Sequence, residues 1–311
     1  MTARTLACLV DRVARCAPSS AALLVPEQGL ALSYGELRSA TRKFAAGLYA
    51  FGARAGNLVV ADLPNTGENL LLQIAASRAG VAVATVKDAE ALSALVAAIS
   101  AQGGRVCGAI TTDASSTLAR AGASLPLGVV TAGPALEKLM GAPEEGAPAE
   151  HEREAPEGKP LGYWSSLKAL THEEALALGS ACAEELALQP TDRVCVAISL
   201  YHAFGIGSAC ASALHSGAAI VLPAVGGIRG CGVPEQRAAL TLRVLAAQQC
   251  TVLFADSHTL KALESPELVR AREELDLSHL RAGVVKVGSG ADFLEATITF
   301  AGVPLRTLGK R

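Results

Sequence analysis

Short apolar runs alternate with helical stretches along almost the whole chain, and this alternation restricts the fold more than any other feature. Strands are expected at residues 31–33, 58–63, 81–86, 106–111, 128–131, 161–166, 194–199, 218–223, 251–255 and 282–287. Between them helices are expected at 33–52, 68–79, 89–102, 118–123, from 171 onward, and at 204–215, 237–248, 257–263, 266–274 and 292–300. Ser33 with Glu36 and Thr171 with Glu174 have the spacing of a capping box, while Gly52 and Gly80 stand where helices end. Apolar strands joined by helices of this length form crossover units and a parallel sheet. The expected class is therefore α/β with doubly wound, mostly parallel sheets.

Residues 132–160 interrupt the rhythm with an acidic, Pro-, Gly- and Ala-rich stretch that has no apolar period, as expected of a surface loop. This divides the chain into a first α/β subdomain over 1–131, the loop, and a remainder over 161–311 with a second sheet. Half the residues are hydrophobic but only 4% are aromatic, so Ala, Val and Leu must fill the core. The 27 basic and 29 acidic side chains are interspersed and leave no basic stripe, which excludes a dedicated nucleic-acid binder.

The eight cysteines show no CxxC pair and no clustering with histidine, and read as reduced, structural residues. Between Arg193 and Arg229 there is no formal charge. Polar His202, Ser208, Ser212, His215 and Ser216, with Gly205, Gly207, Gly217 and Pro223, make this a strand, a buried helix and a strand rather than a bilayer span. Residues 1–22 carry Arg4, Arg12 and Arg15 with a single acid, Asp11, and apolar Leu6, Leu9, Val10 and Val13 at helical spacing. That pattern fits both a mitochondrial import helix and the ordinary first helix of a fold. A mitochondrial location is expected, otherwise a cytoplasmic one.

Several segments, in order, resemble the amino-terminal part of the adenylate-forming superfamily, the acyl-CoA synthetases and their relatives. They are Leu32-Ser-Tyr-Gly-Glu-Leu, Gly47-Leu48-Tyr49-Ala-Phe-Gly52, Leu63-Pro-Asn-Thr-Gly-Glu68, Asp192-Arg193-Val194, Leu200-Tyr-His-Ala-Phe-Gly205, Thr251-Val-Leu-Phe254 and Leu280-Arg-Ala-Gly-Val-Val285. The resemblance implies enzymes that adenylate a carboxylate with ATP and pass the acyl group to coenzyme A. It also implies an acyl-pocket segment at Tyr201, His202 and Phe204, and a segment near the adenine at Val287-Gly288-Ser289-Gly290-Ala291.

The departures concern the nucleotide. The family's phosphate loop, of the form SSGTTGxPKG, turns backbone N–H groups and a lysine toward the triphosphate. Here Tyr163-Trp164-Ser165-Ser166 runs straight into Leu167-Lys168-Ala169-Leu170-Thr171-His172, and about eight residues of loop are missing. Lys168 reads as a solvated lysine before a helix. At the family's YGxTE segment the chain has Leu308-Gly309-Lys310-Arg311, with Leu for Tyr and Arg for Thr. The acid that would hold Mg²⁺ is not in the sequence, nor are the ribose-binding segment, the hinge or the mobile carboxy-terminal lid domain with its lysine.

The resulting expectation is a non-catalytic, acyl-CoA-synthetase-like structural or interaction subunit of a larger mitochondrial complex. No catalytic residue, metal or cofactor is expected. Ser165, Ser166, Gly288, Ser289 and Gly290 would be a vestigial nucleotide region, and Tyr201, His202 and Phe204 a vestigial acyl pocket. Its partners would be other protein subunits; no nucleic acid and no transmembrane segment are expected, and no small-molecule ligand is implied. The competing readings are a ligase whose missing parts are supplied by another chain, and a binding module for a fatty-acyl group or acyl-CoA.

Overall fold

The computed structural model describes residues 3–86, 89–143, 158–163, 169–224 and 233–310. The chain divides into two units, one of residues 1–18, 35–64 and 68–175, the other of residues 19–34, 65–67 and 176–311. Each has its own sheet.

The first unit opens with helix α1 (Leu6–Cys16), started by Thr5, whose hydroxyl accepts the Cys8 N–H at 3.2 Å. Helix α2 spans Tyr34–Phe51 and α3 spans Gly67–Ala79. The six-stranded sheet has the order β6-β5-β3-β4-β7-β8 and comprises β3 (Asn57–Asp62), β4 (Ala82–Ala84), β5 (Arg105–Thr111), β6 (Val129–Thr131), β7 (Pro160–Tyr163) and β8 (Ala169–Thr171). Every pairing is parallel except the edge pair β7 and β8. Leu58, Val59, Val60 and Ala61 are all buried, the continuous apolar run of a strand covered on both faces. Helices α4 (Ala89–Ala101) and α5 (Thr117–Gly122) supply Leu92, Leu95, Ile99 and Leu118 to its core.

Helix α1 is an integral part of this unit. Leu6, Leu9 and Val10 are buried, and Asp11 takes the Arg78 guanidinium in a two-pronged pair at 2.7 and 2.8 Å, with Arg38 Nε at 3.3 Å. Residues 6–16 thus form the first helix of the fold that the spacing in residues 1–22 predicts. A short helix, α6 (Pro134–Met140), lies inside the stretch expected to be loop; Gly47 of α2 accommodates its close approach, since a Cβ there would overlap the Leu139 carbonyl. The acidic residues 144–157 lie outside the described residues.

In the second unit the eight-stranded sheet has the order β13-β14-β12-β11-β9-β10-β1-β2. Its members are β1 (Ala21–Val25), β2 (Leu30–Ser33), β9 (Arg193–Ala197), β10 (Ala219–Val221), β11 (Val252–Asp256), β12 (Ala282–Lys286), β13 (Asp292–Phe300) and β14 (Val303–Gly309). The two edge pairs are antiparallel and the rest parallel. Helices α7 (His172–Glu185), α8 (Ala211–Ser216), α9 (Pro234–Ala247), α10 (Ser257–Leu263) and α11 (Pro266–Glu273) accompany these strands in sequence. The Thr171–Glu174 capping box is formed at the start of α7: Thr171 N–H donates to Glu174 Oε2 at 2.9 Å and Glu174 N–H to Thr171 Oγ1 at 3.1 Å.

Asp192 ties the amino ends of the central strands together. It accepts the Gln189 N–H at 2.7 Å, the Thr251 hydroxyl at 2.7 Å, and Arg281 through Nη2 at 2.6 Å and Nε at 3.0 Å. Burial alone would raise its pKa, but Arg281 together with the Gln189 and Thr251 donors outweighs burial and holds the carboxyl below its usual value.

The sheets do not follow the expected division at residues 131 and 161. The strands at 160–171 complete the first sheet, and those at 21–33 belong to the second. One element differs in type: residues 292–300, expected to be helical, form strand β13, hairpinned to β14. Leu294, Ala296, Ile298 and Phe300 alternate with Glu295, Thr297 and Thr299, a period of two that outranks the helical spacing of the same residues. Ala301 and Gly302, both with positive φ, make the turn.

Breaking a buried ion pair from one side strands the remaining charge. Asp11→Ala is therefore expected to destabilise the protein by about 3 kcal/mol, read as a lower thermal midpoint. A change within a few tenths of a kcal/mol would mean Arg78 is satisfied elsewhere.

Candidate functional site

The functional residues of an open parallel sheet gather at the carboxyl ends of its strands, and in the second unit β9, β11 and β12 all end on distinctive groups. Beyond β9 the chain turns through residues 198–203. Asn65, from the Pro-Asn turn of the sequence, holds that turn on both sides: its Nδ2 donates to the Ile198 carbonyl at 3.2 Å, and its Oδ1 accepts the Leu200 N–H at 2.8 Å. Tyr201 N–H donates to Ser199 Oγ at 3.2 Å, and His202 N–H to the Ser199 carbonyl at 3.3 Å. The chain then enters a π-helical stretch, Phe204–Cys210, continued by α8; such wide turns recur at functional sites. Gly205 is required at its start, because a Cβ would run into the Ser199 carbonyl.

Phe204 is buried against Phe254 of β11, the ring centres 5.7 Å apart and the planes inclined at 49°. Asp256, at the end of the same strand, caps α10 by accepting the Thr259 N–H at 2.6 Å, and its other oxygen lies 3.4 Å from Arg237 Nη1. Lys286 ends β12 directly opposite Asp256 in the parallel register. His202 lies within the field of all three. Burial lowers its pKa most; Arg237 and Lys286 add to this and Asp256 opposes it. Burial likewise lowers the Lys286 pKa, against the pull of Asp292. A half-buried imidazole thus lies in the field of one carboxylate and two cationic side chains, and two residues further along the chain Phe204 packs on Phe254.

Asp192 and Asp256 had no visible partners in the sequence. One proves to be a strand clamp, the other the anion of a buried pair with Arg237. The register of two parallel strands and the packing of α9 bring these groups together, and neither leaves a spacing signal. Among the described residues no group of three His, Cys, Asp or Glu side chains is arranged to hold a metal ion.

Of the expected nucleotide region, Ser165 and Ser166 lie outside the described residues, as does Lys168. Gly288, Ser289 and Gly290 are exposed and reverse the chain between β12 and β13, with φ of 65° at Gly288 and 88° at Gly290. A Cβ on Gly290 would overlap the Gly309 carbonyl, and Val287 N–H donates to the Leu308 carbonyl at 2.8 Å. Close packing of this turn on β14 accounts for the glycine at 290. His172, at the start of α7, is buried, and its Nδ1 has no hydrogen-bond partner among the described residues.

The mostly parallel sheets and interleaved helices define an α/β domain of the kind found at the amino terminus of adenylate-forming enzymes. A family profile described as AMP-binding enzyme matches residues 10–160. The structure is similar to the inhibitor-bound N-terminal domain of FACL13 from Mycobacterium tuberculosis, at 18% identity and a TM-score of 0.71, covering 91% of this chain and 70% of that one. It is also similar to a fatty acyl CoA synthetase of the same organism, at 17% identity and a TM-score of 0.72, covering 93% of this chain and 56% of that one. ATP-bound MatB from Rhodopseudomonas palustris matches at 20% identity and a TM-score of 0.69, over 91% of this chain and 55% of that one. The chain thus spans little more than half the length of these last two. No curated protein matches the sequence.

Burial pulls the His172 pKa from 6.5 down to about 4, Glu173 opposing. Between these values the unfolded chain binds a proton that the folded chain refuses, so stability falls as pH drops through this window. The loss from this group is roughly 3 kcal/mol. His172→Gln is expected to flatten the fall in thermal midpoint between pH 7 and pH 4.5; an undiminished slope would assign it to other groups.

Proposed function

We propose that the chain is a non-catalytic relative of acyl-CoA synthetases that serves as a structural or interaction subunit of a larger assembly in mitochondria. The carrying observation is the connection between β7 and β8. Tyr163 and Ala169 are paired in antiparallel register, so only residues 164–168 join the two strands. A phosphate cradle needs several successive N–H groups turned inward, with glycines that let the backbone close around the anion. The segment Trp164-Ser165-Ser166-Leu167-Lys168 contains no glycine, and its neighbours Tyr163 and Ala169 are paired with each other. The family match ends at residue 160, just before this segment. Leu308, where the family places a tyrosine, agrees with the same reading.

The scaffold around it is intact, with capping box, strand clamp and both cores in place. Retained packing with a curtailed phosphate segment supports use of the fold as a surface. The mitochondrial part of the proposal draws on α1: Arg4 and Arg15 are exposed while Leu6, Leu9 and Val10 are buried. Removing α1 would break the Asp11–Arg78 pair and remove buried Leu6, Leu9 and Val10 from the core, so import without cleavage of this helix is the expected route.

A second reading, a fatty-acyl binding module, is favoured by the aromatic pair Phe204–Phe254, which follows the turn bearing His202. Co-purified lipid that is lost in Phe204→Ala would support it over the first.

The intact chain is expected to give no carboxylate-dependent exchange of pyrophosphate into ATP over a broad panel of acids, alone or within its native assembly. Exchange by the chain alone would overturn the non-catalytic reading, and exchange only within the assembly would establish a ligase completed in trans. Native gels of mitochondrial extract should show the chain migrating in a larger complex with α1 retained by mass. A free, unassociated chain would refute the subunit role.

A further inference from the structure

Six lysines fall among the described residues, and five of them, Lys43, Lys138, Lys159, Lys261 and Lys310, stand exposed. Lys286 is half-buried. Its setting follows from the register of the second sheet. Paired residues of parallel strands present their side chains on one face, and successive residues alternate between faces. Lys286 is paired with Asp256 of β11 on one side and Leu308 of β14 on the other, and Val284 precedes it on the same face. Phe254, paired with Val284, carries Phe204 on this face. Val284 and Leu308 are buried, so apolar neighbours flank the lysine stem and keep water from it.

The nitrogen at the tip of this stem has no fixed partner. Asp256 is nearest in register, but one of its oxygens takes the Thr259 N–H at 2.6 Å and the other faces Arg237 Nη1 at 3.4 Å. Asp292, at the start of β13, acts on Lys286 through its field alone. Among the described residues the Lys286 side chain makes no ion pair and no hydrogen bond. It shares the surroundings of half-buried His202 with Arg237 and Asp256. Beyond it the chain turns through exposed Gly288, Ser289 and Gly290, and a Cβ on Gly288 would meet nothing within 4 Å. No bulky side chain of this turn closes over the end of β12.

We infer that Lys286 is a modification site of the chain, acylated on Nζ by thioesters. An amine attacks a carbonyl through the lone pair of its neutral form, and desolvation is what makes a lysine neutral near physiological pH. Burial of Lys286 disfavours the ammonium ion and outweighs the pull of Asp292, holding its pKa below the ordinary lysine value. The acyl donor must carry a leaving group that departs without further activation, which a thioester has and a free carboxylate lacks. Neutral Nζ adds to the thioester carbonyl carbon, the new C–N bond forms and the C–S bond breaks. The departing thiolate takes up the proton that the nitrogen gives up. An amide and a thiol are the products, and no further reactant is consumed. The inference rests on this cluster alone and stands whether the chain serves as a subunit or binds fatty-acyl groups.

The test is site-resolved acetylation of the intact folded chain by S-acetyl-N-acetylcysteamine, a thioester with no nucleotide portion, read by peptide mass spectrometry between pH 7 and pH 9. Lowering an amine's pKa by one unit multiplies its neutral fraction about tenfold near neutral pH, and reduced nucleophilicity returns part of that gain. Lys286 is therefore expected to react about threefold or more faster than Lys43, Lys138 and Lys261, with a rate that levels off at lower pH than theirs. In urea, where the cluster is dispersed, the four rates should converge. Asp292→Asn removes the carboxylate that favours the ammonium form, and should speed Lys286 further while leaving the exposed lysines unchanged. A Lys286 rate at or below those of the exposed lysines in the folded chain would overturn the inference. So would an advantage that persists in urea, or a rate that Asp292→Asn does not move.

Discussion

One carboxylate sets the frame on which the second unit is built. Asp192 stands at the foot of β9, and its oxygens take donors from the feet of β11 and β12 through Thr251 and Arg281. Its own carbonyl accepts the Ala219 N–H at 3.0 Å at the foot of β10. Four parallel strands thus start level with one another. Parallel strands have no tight turn to fix their register, so a shared anchor at one end decides what meets at the other. Because these feet are aligned, Asp256 and Lys286 finish side by side, and the turn bearing His202 emerges next to them.

Most of the fold was legible in the sequence because a parallel sheet announces itself twice. Its strands are apolar without alternation, as at Leu58–Val59–Val60–Ala61, and its crossovers carry start and stop signals such as Thr171–Glu174 and Gly80. Elements that break this grammar were harder to see. The apolar residues of β13 fit a helical spacing as well as a period of two, and the two-residue turn at Ala301–Gly302 makes it a hairpin. Helix α6 is short and begins at Pro134 inside a stretch that composition alone labels loop. Which sheet each strand joins was not legible either, since β1 pairs with its neighbour β2 on one side and with β10, far along the chain, on the other.

The candidate site was legible only where it is local. Tyr201, His202 and Phe204 lie within four residues, and the sequence named them together. Their neighbours are distant in the chain: Asn65 staples the turn, Phe254 supports Phe204, and Arg237 and Asp256 form a buried pair nineteen residues apart. Gly290 marks a close backbone approach, and what it approaches is Gly309 at the end of β14. A glycine pattern reports the need for space without reporting who fills it.

The scaffold keeps what holds an α/β domain together, and the proposal is that the five residues between β7 and β8 no longer make a triphosphate cradle. Calorimetric titration of the intact chain with ATP and Mg²⁺ tests this most directly. No saturable heat is predicted at concentrations that fill a phosphate loop. Stoichiometric binding that is lost when Ser165 and Ser166 are replaced by alanine would contradict it.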